Sequence, residues 1–232
     1  MNILYIEHYA GTPSLGMEYR PYYFAREWIR MGHTVRIIAS SFSHYRANQP
    51  LVKSSRSLFT HEVIDGIEYE WIHTPEYAGN GIGRVRNIAV FLSRLHRMTR
   101  RIIRDFNPTI VIASSTYPMD MYVARHIAKV SGAKLLFELH DLWPLSPIEL
   151  GGISKYHPFM MLCQHAENYA YRHADAVVSI LPNVHDHVVR HGLSVEKLHI
   201  IPNGTNSDEW IVDESAVPTE LLSKFHQWRQ GR

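Results

Sequence analysis

The sequence predicts an α/β fold in which a mostly parallel β-sheet carries helices on both faces and one β-hairpin is inserted. Short apolar runs alternate with longer segments of helical periodicity along almost the whole chain. This alternation is typical of a parallel sheet, because parallel strands need a long crossover connection between them. One pair of apolar runs instead flanks Asp65-Gly66, a strong signal for a two-residue hairpin turn.

The individual elements follow from the same patterns. Gly32 and the pair Asn107-Pro108 stand where the first two helices should end. Parallel strands are predicted at residues 3–6, 35–39, 110–113, 135–138, 176–180 and 198–201, and hairpin strands at 58–64 and 67–72. Helices are predicted at about 19–31, 84–106, 118–130, 158–173 and 183–190. This order of elements is Rossmann-like.

Composition excludes several classes of protein. At 232 residues with 45% hydrophobic content the chain can bury a full core, and a net charge of +2 gives no global field that favours nucleic acid as a partner. The single cysteine, Cys163, leaves no disulfide framework or cysteine-rich zinc site and fits a reducing compartment. The N-terminus is predicted to be a strand rather than a signal peptide, and no apolar run is long enough for a membrane-spanning helix.

Residues 1–210 are predicted to form one domain. From residue 211 the pattern changes to an acidic linker and then a short amphipathic helix, which we expect to lead toward a C-terminal domain. The apolar face of that helix carries Leu221, Leu222, Phe225 and Trp228.

Ligands bind doubly wound sheets outside the carboxyl ends of the strands, so the loops that follow the strands are the candidate sites. After the first strand, Gly11 and Gly16 permit close approach of the backbone to a ligand, and Arg20 can clamp a phosphate or carboxylate. The alternative is that both glycines only shape a turn. Their spacing matches neither G-x-G-x-x-G nor a P-loop, which disfavours a dinucleotide enzyme or an NTPase.

His140 and Asp141 follow the strand at residues 135–138. His140 can donate to a sugar hydroxyl or a developing oxyanion, and Asp141 can orient it, so both are candidate catalytic residues. Alternatively, His140 caps the strand and Asp141 caps a turn. Ser115, Thr116 and Tyr117 form a hydroxyl-rich loop that suits sugar hydroxyls or an anion, and that suits a plain helix cap equally well.

The sequence contains a row of arginines at helical spacing and many histidines. Arg94, Arg97, Arg101 and Arg104 are spaced to share one helix face, which favours contact with an anionic membrane surface, although a solvated outer face fits as well. The sixteen histidines have no acidic or thiolate partners at the spacing of a recognised metal motif, so no metal site is predicted. A serine hydrolase is disfavoured because G-x-S-x-G is absent from the sequence.

Taken together, five motifs in this order resemble glycosyltransferase family 4, and they extend over the chain up to Gly204. The motifs are Gly16, Gly32-His33-Thr34-Val35, His140-Asp141, the run at residues 174–183 (ADAVVSILPN) and Ile201-Pro202-Asn203-Gly204. The runs at residues 17–21 and 137–144 are similar to O-antigen and capsule enzymes of the N-acetyl-L-fucosamine transferase kind.

The resemblance implies the N-terminal half of a GT-B fold and transfer from a nucleotide sugar with retention of configuration, without a metal or other cofactor. Gly11, Gly16 and His140 would then face the donor. Glu18, Arg20, Ser115, Thr116 and Tyr117 would shape the acceptor pocket.

The expected acceptor is an undecaprenyl-diphosphate-linked sugar at the inner face of the cytoplasmic membrane. We expect the family's second domain, with two glutamates that have seven residues between them, to begin near residue 232; Glu62 and Glu70 have this spacing but flank the predicted hairpin turn, so the match is taken as coincidence. We therefore expect the chain alone to be inactive. The alternatives are half of a sugar-nucleotide 2-epimerase, or a noncatalytic membrane-docking subunit of a split glycosyltransferase.

Overall fold

An eight-stranded sheet runs through the computed structural model, which describes residues 1–52, 57–79, 81–205 and 218–230. The strands are β1 (Asn2–Ile6), β2 (Thr34–Ser40), β3 (Phe59–Ile64), β4 (Ile67–Ile72), β5 (Ile110–Ala113), β6 (Lys134–Leu139), β7 (Ala176–Ser179) and β8 (Leu198–Ile200). All the strands predicted from the sequence are present, with ends shifted by one residue or not at all. The predicted α/β architecture is confirmed.

The strand order is β3-β4-β2-β1-β5-β6-β7-β8. From β1 the chain moves outward through β2 and β4, and then returns to place β5 on the other side of β1. The carboxyl ends of β1 and β5 therefore mark the point where the strand order reverses. In doubly wound sheets this is where a crevice for ligands opens.

The predicted hairpin is part of the main sheet rather than a separate insertion. Asp65 and Gly66 both have positive φ, 51° and 81°, as a tight hairpin turn requires. However, β4 pairs in parallel with β2 and is a regular member of the main sheet, whereas only β3 is antiparallel and forms the edge. The sequence pattern identified the turn correctly, but only the pairing with β2 decides which strand joins the sheet.

The helices also follow the sequence closely. They are α1 (Arg20–Arg30), α2 (Ile82–Phe106), α3 (Asp120–Ser131), α4 (Leu145–Glu149), α5 (Pro158–His173), α6 (His185–Arg190) and α7 (Thr219–Gln230), with a 3-10 turn at Val195–Lys197 before β8. Asn107 ends α2 in the left-handed conformation immediately before a proline, as predicted. The single-turn helix α4 was not predicted, because five residues are too few to show a period.

Side chains on the two faces of the sheet form separate cores, because successive residues of a strand point in opposite directions. On one face, Ile3 and Tyr5 of β1 pack with Tyr22 and Ala25 of α1. On the other face, alternate strand residues pack against α2, α3, α5 and α6; this larger core includes Leu4, Ile6, Ile38, Phe91, Leu95, Ala124, Ile127, Tyr171 and Val188. Helices thus cover both faces, as predicted.

A network of ion pairs fixes α2 to β2 and β4. The carboxylate of Glu70, 1% exposed, pairs with Arg101 of α2 and lies 3.3 Å from the Arg36 guanidinium of β2. Arg36 also pairs with Glu68 at 2.6 Å and lies over the ring of Phe106. Two carboxylates and two guanidinium groups therefore compensate each other beneath the crossover helix, as buried charges require.

The chain divides into two compact units, residues 1–202 and 203–232. In the second unit the predicted amphipathic helix is present as α7, and Leu221, Phe225 and Trp228 are exposed on it. The predicted boundary at residue 210 and the linker residues 211–217 lie outside the described residues.

We expect Phe91→Ala to destabilise the first unit strongly. Phe91 is completely buried between the sheet and the ring of His8, and removing its ring leaves a cavity that the surrounding core can only partly fill. Urea denaturation should show a loss of about 3–5 kcal/mol in the free energy of unfolding. The control is Leu51→Ala, since Leu51 is 83% exposed. Equal effects of the two substitutions would contradict this placement of the core.

Candidate functional site

The carboxyl edge of the sheet at the point of strand reversal collects polar side chains from β1, β5 and β6. Glu7 and His8 follow β1, Ser114 and Ser115 follow β5, and His140 follows β6. Parallel pairing in register brings these strand ends together. All five residues are buried or half-buried.

The carboxylate of Glu138, 3% exposed, is the centre of this cluster. One oxygen accepts from Arg20 Nε at 2.8 Å. The other accepts from Ser114 Oγ at 2.7 Å, accepts from the hydroxyl of Tyr5, and lies 3.2 Å from His140 Nε2. One charged group therefore connects α1, β1, β5 and the end of β6.

The electrostatics of this cluster favour an ionised pair. Burial by itself raises the pKa of Glu138, but the hydrogen bond and charge of His140, together with Arg20, outweigh it and lower the pKa to about 2. Burial disfavours the charged form of His140 as well, and so lowers its pKa. The hydrogen bond and charge of Glu138, and then the charges of Glu7 and Glu18, outweigh burial and raise the pKa of His140 above its usual value. A protonated imidazole held in this way favours negative charge beside it.

Glu138, rather than Asp141, is the carboxylate that orients His140. Asp141 Oδ1 accepts from the Leu142 amide at 2.8 Å and from the Ser146 hydroxyl, so it caps the turn that leads into α4. The pattern after the strand did not indicate Glu138. A charged residue between Phe137 and Leu139, in the middle of an otherwise apolar strand, was the available signal.

Arg20 is not free to clamp a ligand phosphate in the described chain. Its guanidinium pairs with Glu138, donates to the carbonyl oxygens of Ile201 and Pro202 at 2.8 and 3.2 Å, and stacks on Phe24 at 4.3 Å. A direct contact of Arg20 with an acceptor stays a prediction. The arginine positions Glu138 and ties the start of α1 to the segment after β8.

The two glycines of the first loop let the loop fold against itself. A Cβ on Gly11 would lie 1.7 Å from the carbonyl oxygen of Gly16, and a Cβ on Gly16 would lie 2.8 Å from the amide nitrogen of Ala47. Gly16 also has φ of +105°, which side chains rarely adopt. The turn-shaping alternative therefore explains both positions. Their contact with a donor stays a prediction.

Glu18 remains close to the cluster. Its amide donates to the Tyr9 carbonyl and its carbonyl accepts from the Gly11 amide at 2.8 Å, which holds the loop shut. Its carboxylate, half-buried, contributes to the raised pKa of both His140 and Glu7. Direct binding of an acceptor by Glu18 stays a prediction.

Of the three hydroxyl residues after β5, Thr116 lines the cleft described below, whereas the other two make internal hydrogen bonds. Ser115 Oγ accepts from the His8 amide at 3.1 Å and its own amide donates to Asp120 at 3.1 Å. The Tyr117 hydroxyl lies 2.6 Å from His8 Nδ1, and the side chain is completely buried. Both hydroxyls therefore hold the loops together, and direct contact of Ser115 and Tyr117 with an acceptor stays a prediction.

A cleft of about 740 Å³ opens beside the cluster, between the start of α2, α4 and the start of α5. Its lining is mostly apolar, with polar atoms from Thr116, Asp141, Ser146 and Arg84. The Arg84 guanidinium lies 5.4 Å from the rings of both Tyr9 and Trp143. Sequence reasoning missed Arg84, because nothing in a helical pattern distinguishes an arginine that lines a cleft.

The four arginines of α2 that were predicted to share one face do not form one free surface. Arg94 donates to the His73 carbonyl at 2.5 Å, and Arg101 pairs with Glu70 and lies over Phe59. Only Arg97 and Arg104 are exposed, and Arg104 pairs with the neighbouring Asp105. Among the described residues no helix is long and apolar enough to span a bilayer.

Two buried acids flank the cluster. Burial raises the pKa of Glu7 to about 8, against the ordinary 4.5, and that of Asp120 to about 7, against 3.8. The folded chain therefore holds a proton on Glu7 that the unfolded chain releases above about pH 4.5. The stability that this proton contributes is complete below pH 4.5 and is lost as the pH rises to about 8.

We expect Glu7→Gln to remove this loss of stability. The amide replaces the protonated carboxyl group and can still accept from the Tyr9 amide, which donates to Glu7 at 2.9 Å. Relative to the wild type, the variant should gain stability, on the order of a few kcal/mol, between about pH 5 and pH 8 in urea denaturation. The control is Glu149→Gln, at an exposed position. Parallel pH profiles for wild type and Glu7→Gln would contradict the assignment.

The family comparison confirms the resemblance at the family level. A profile described as "Glycosyl transferase 4-like domain" matches residues 16–204. No curated protein sequence matches the chain significantly.

Solved structures share the fold at low sequence identity. HepE from Anabaena, in complex with UDP-glucose, superposes with a TM-score of 0.54 at 13% identity over 98% of this chain and 50% of its own. Starch synthase IV from Arabidopsis thaliana, bound to ADP and acarbose, gives 0.53 at 14% over 90% and 52%. A sucrose-phosphate synthase structure from Thermosynechococcus elongatus gives 0.51 at 13% over 95% and 99%.

The chain spans about half the length of HepE and of starch synthase IV. Its sheet, with helices on both faces, is one Rossmann-like half of a GT-B architecture. Since the family profile covers most of the sequence, the chain belongs to the family of glycosyl transferase 4-like domains.

Proposed function

We propose that this chain is the acceptor-side half of a retaining glycosyltransferase that moves a sugar from a nucleotide sugar to a lipid-linked or glycan acceptor. The observation that carries the proposal is the position of His140, held by Glu138 at the point of strand reversal and next to a mostly apolar cleft. A second Rossmann-like domain, on the same polypeptide or on a partner, would form the opposite wall. The donor would lie between the two.

In the proposed reaction the bond between the anomeric carbon and the donor phosphate breaks, and a bond from that carbon to an acceptor oxygen forms. The acceptor proton leaves with the departing nucleoside diphosphate. His140, whose pKa is raised by Glu138, would donate to a hydroxyl of the transferred sugar, and in its protonated form would stabilise the negative charge that develops on the departing diphosphate. Arg20 would act indirectly, because it positions Glu138.

The cleft is the proposed acceptor site. Its apolar and aromatic lining suits the body of a saccharide or its lipid, and Thr116 and Asp141 offer polar atoms for hydroxyl groups. Arg84 adds a positive charge that suits a phosphate, as an undecaprenyl-diphosphate-linked acceptor would carry.

The ligands bound in similar solved structures support the choice of donor. HepE was solved with UDP-glucose, and with UDP and glucose, and starch synthase IV was solved with ADP. A nucleotide sugar is therefore the donor class that we propose. We also propose that the enzyme acts in surface polysaccharide biosynthesis, as O-antigen and capsule enzymes do. We propose that it needs no metal for the transfer.

We expect His140→Asn, introduced at the chromosomal gene, to block one sugar addition. Loss of the imidazole removes the charge beside the transferred sugar, so lipid-linked saccharides that lack one sugar should accumulate, with at least about a hundredfold loss of product. Mass spectrometry of extracted lipid-linked saccharides measures this. Thr116→Val tests the cleft independently, and we expect a weaker acceptor interaction and a smaller loss of product.

The matched control for this experiment is His126→Ala, at an exposed position of α3. Immunoblots must show equal protein levels for all variants. Unchanged lipid-linked saccharides in His140→Asn cells would refute the transferase proposal. An altered pool of free sugar nucleotides, with intact saccharides, would favour an epimerase instead.

Peripheral contact with the inner face of the cytoplasmic membrane is a separate part of the proposal. It now depends on the exposed Arg97 and Arg104 rather than on all four arginines of the α2 row. We expect the double variant Arg97→Gln/Arg104→Gln to bind vesicles that contain about a third phosphatidylglycerol less well than wild type in a sedimentation assay. Arg30→Gln, at an exposed position of α1, is the control. Equal binding by all three proteins would contradict membrane contact through α2.

A further inference from the structure

A cluster of potential metal ligands lies between α5 and α6. Glu167 of α5 and His187 and His191 on the α6 side each offer one ligand atom, and these atoms all lie within 4.8 Å of one another. The sequence showed the two histidines without an acidic partner. The fold supplies that partner from a helix that begins nearly thirty residues before His187 in the chain.

The two histidines are arranged as a chelating pair. They are four residues apart, so a single helical turn places both rings on the same side, and their ring centroids are 4.5 Å apart. His187 Nε2 lies 2.7 Å from Glu167 Oε1. Gly192, with φ of +101°, ends the turn directly after His191. Little movement is therefore needed to direct both rings at one ion.

The carboxylate of Glu167 lies in an unusual environment. Its side chain is 1% exposed, and its partners among the described residues are the Tyr171 hydroxyl at 2.9 Å, the Gln164 amide at 2.7 Å and His187. The first two are neutral donors. A buried carboxylate normally pairs with a cation or coordinates a metal, because neutral hydrogen bonds compensate its desolvation only in part.

We propose that Glu167, His187 and His191 form a binding site for a divalent transition-metal ion, and that Zn²⁺ is the ion that fits best. Two imidazole nitrogens and one carboxylate oxygen are a ligand set that zinc uses, with a fourth position left for water or another oxygen. Asn168 Oδ1 lies 3.0 Å from His191 Nδ1, close enough to occupy the fourth coordination position or to orient the His191 ring. The ion would replace the hydrogen bond between Glu167 and His187.

The proposed ion would have a structural role, as a cross-link between two helices. It would join α6, which follows β7, to the long helix α5, and both helices contribute to the same core through Tyr171 and Val188. Metal binding to the folded chain stabilises it by mass action. This role is independent of sugar transfer and needs no second domain.

The test is titration of the EDTA-treated, dialysed 232-residue chain with zinc chloride by isothermal titration calorimetry. We expect about one tight zinc ion per chain, and binding at least about tenfold weaker in His187→Ala and in His191→Gln. Zinc should raise the melting temperature of the wild type but not of these variants. Cobalt substitution should add the visible absorption of a tetrahedral ion.

The matched control is His185→Ala, because His185 lies on the same helix and its side chain is 57% exposed. It should bind zinc as tightly as the wild type, which separates this site from weak binding by the other histidines. Circular dichroism without zinc identifies any variant that fails to fold, and His191→Gln, at a half-buried position, is then decisive. Absence of tight zinc binding by the wild type, or its full retention in His187→Ala and His191→Gln, would overturn the proposal.

Discussion

The buried carboxylate of Glu138 is the interaction on which the rest of the site depends. It accepts hydrogen bonds from Arg20, Tyr5 and Ser114 and holds His140 at 3.2 Å, so that one charge joins the first helix to three neighbouring strands. Removing a charge from water is costly, and only this complete set of donors compensates the cost. The same requirement that stabilises the sheet therefore fixes the imidazole at its carboxyl edge.

This constraint separates the residues that point into the protein from those that line its surface at the same edge of the sheet. Arg20, Ser115 and Tyr117 direct their polar groups into the protein, where they order the loops. His140 is half-buried at the edge and Thr116 lines the cleft, where the proposed substrates would bind. Preorganisation of this kind costs nothing at the moment of reaction, because the polar groups are already oriented.

Charge elsewhere in the fold is organised by the same rule. Glu70 pairs with Arg36 and Arg101 beneath α2, which explains why a helix so rich in arginine presents only part of its charge to solvent. Glu167 is the contrasting case, since its carboxylate is as deeply buried but hydrogen-bonds mainly to neutral groups. The two positions show that burial of a carboxylate alone does not reveal its role; the identity of its partners does.

The sequence by itself determined the strands, every helix except α4, the turn at Asp65-Gly66, the loops at the carboxyl edge of the sheet and the family, because periodicity, turn chemistry and short motifs are local properties of the chain. It did not determine that β4 joins the main sheet, that Glu138 rather than Asp141 holds His140, that Arg20 points inward, or that Glu167 meets His187 and His191. These depend on contacts between residues far apart in the chain. Only the packing of the whole sheet with its helices decides which polar groups face each other and which face a ligand.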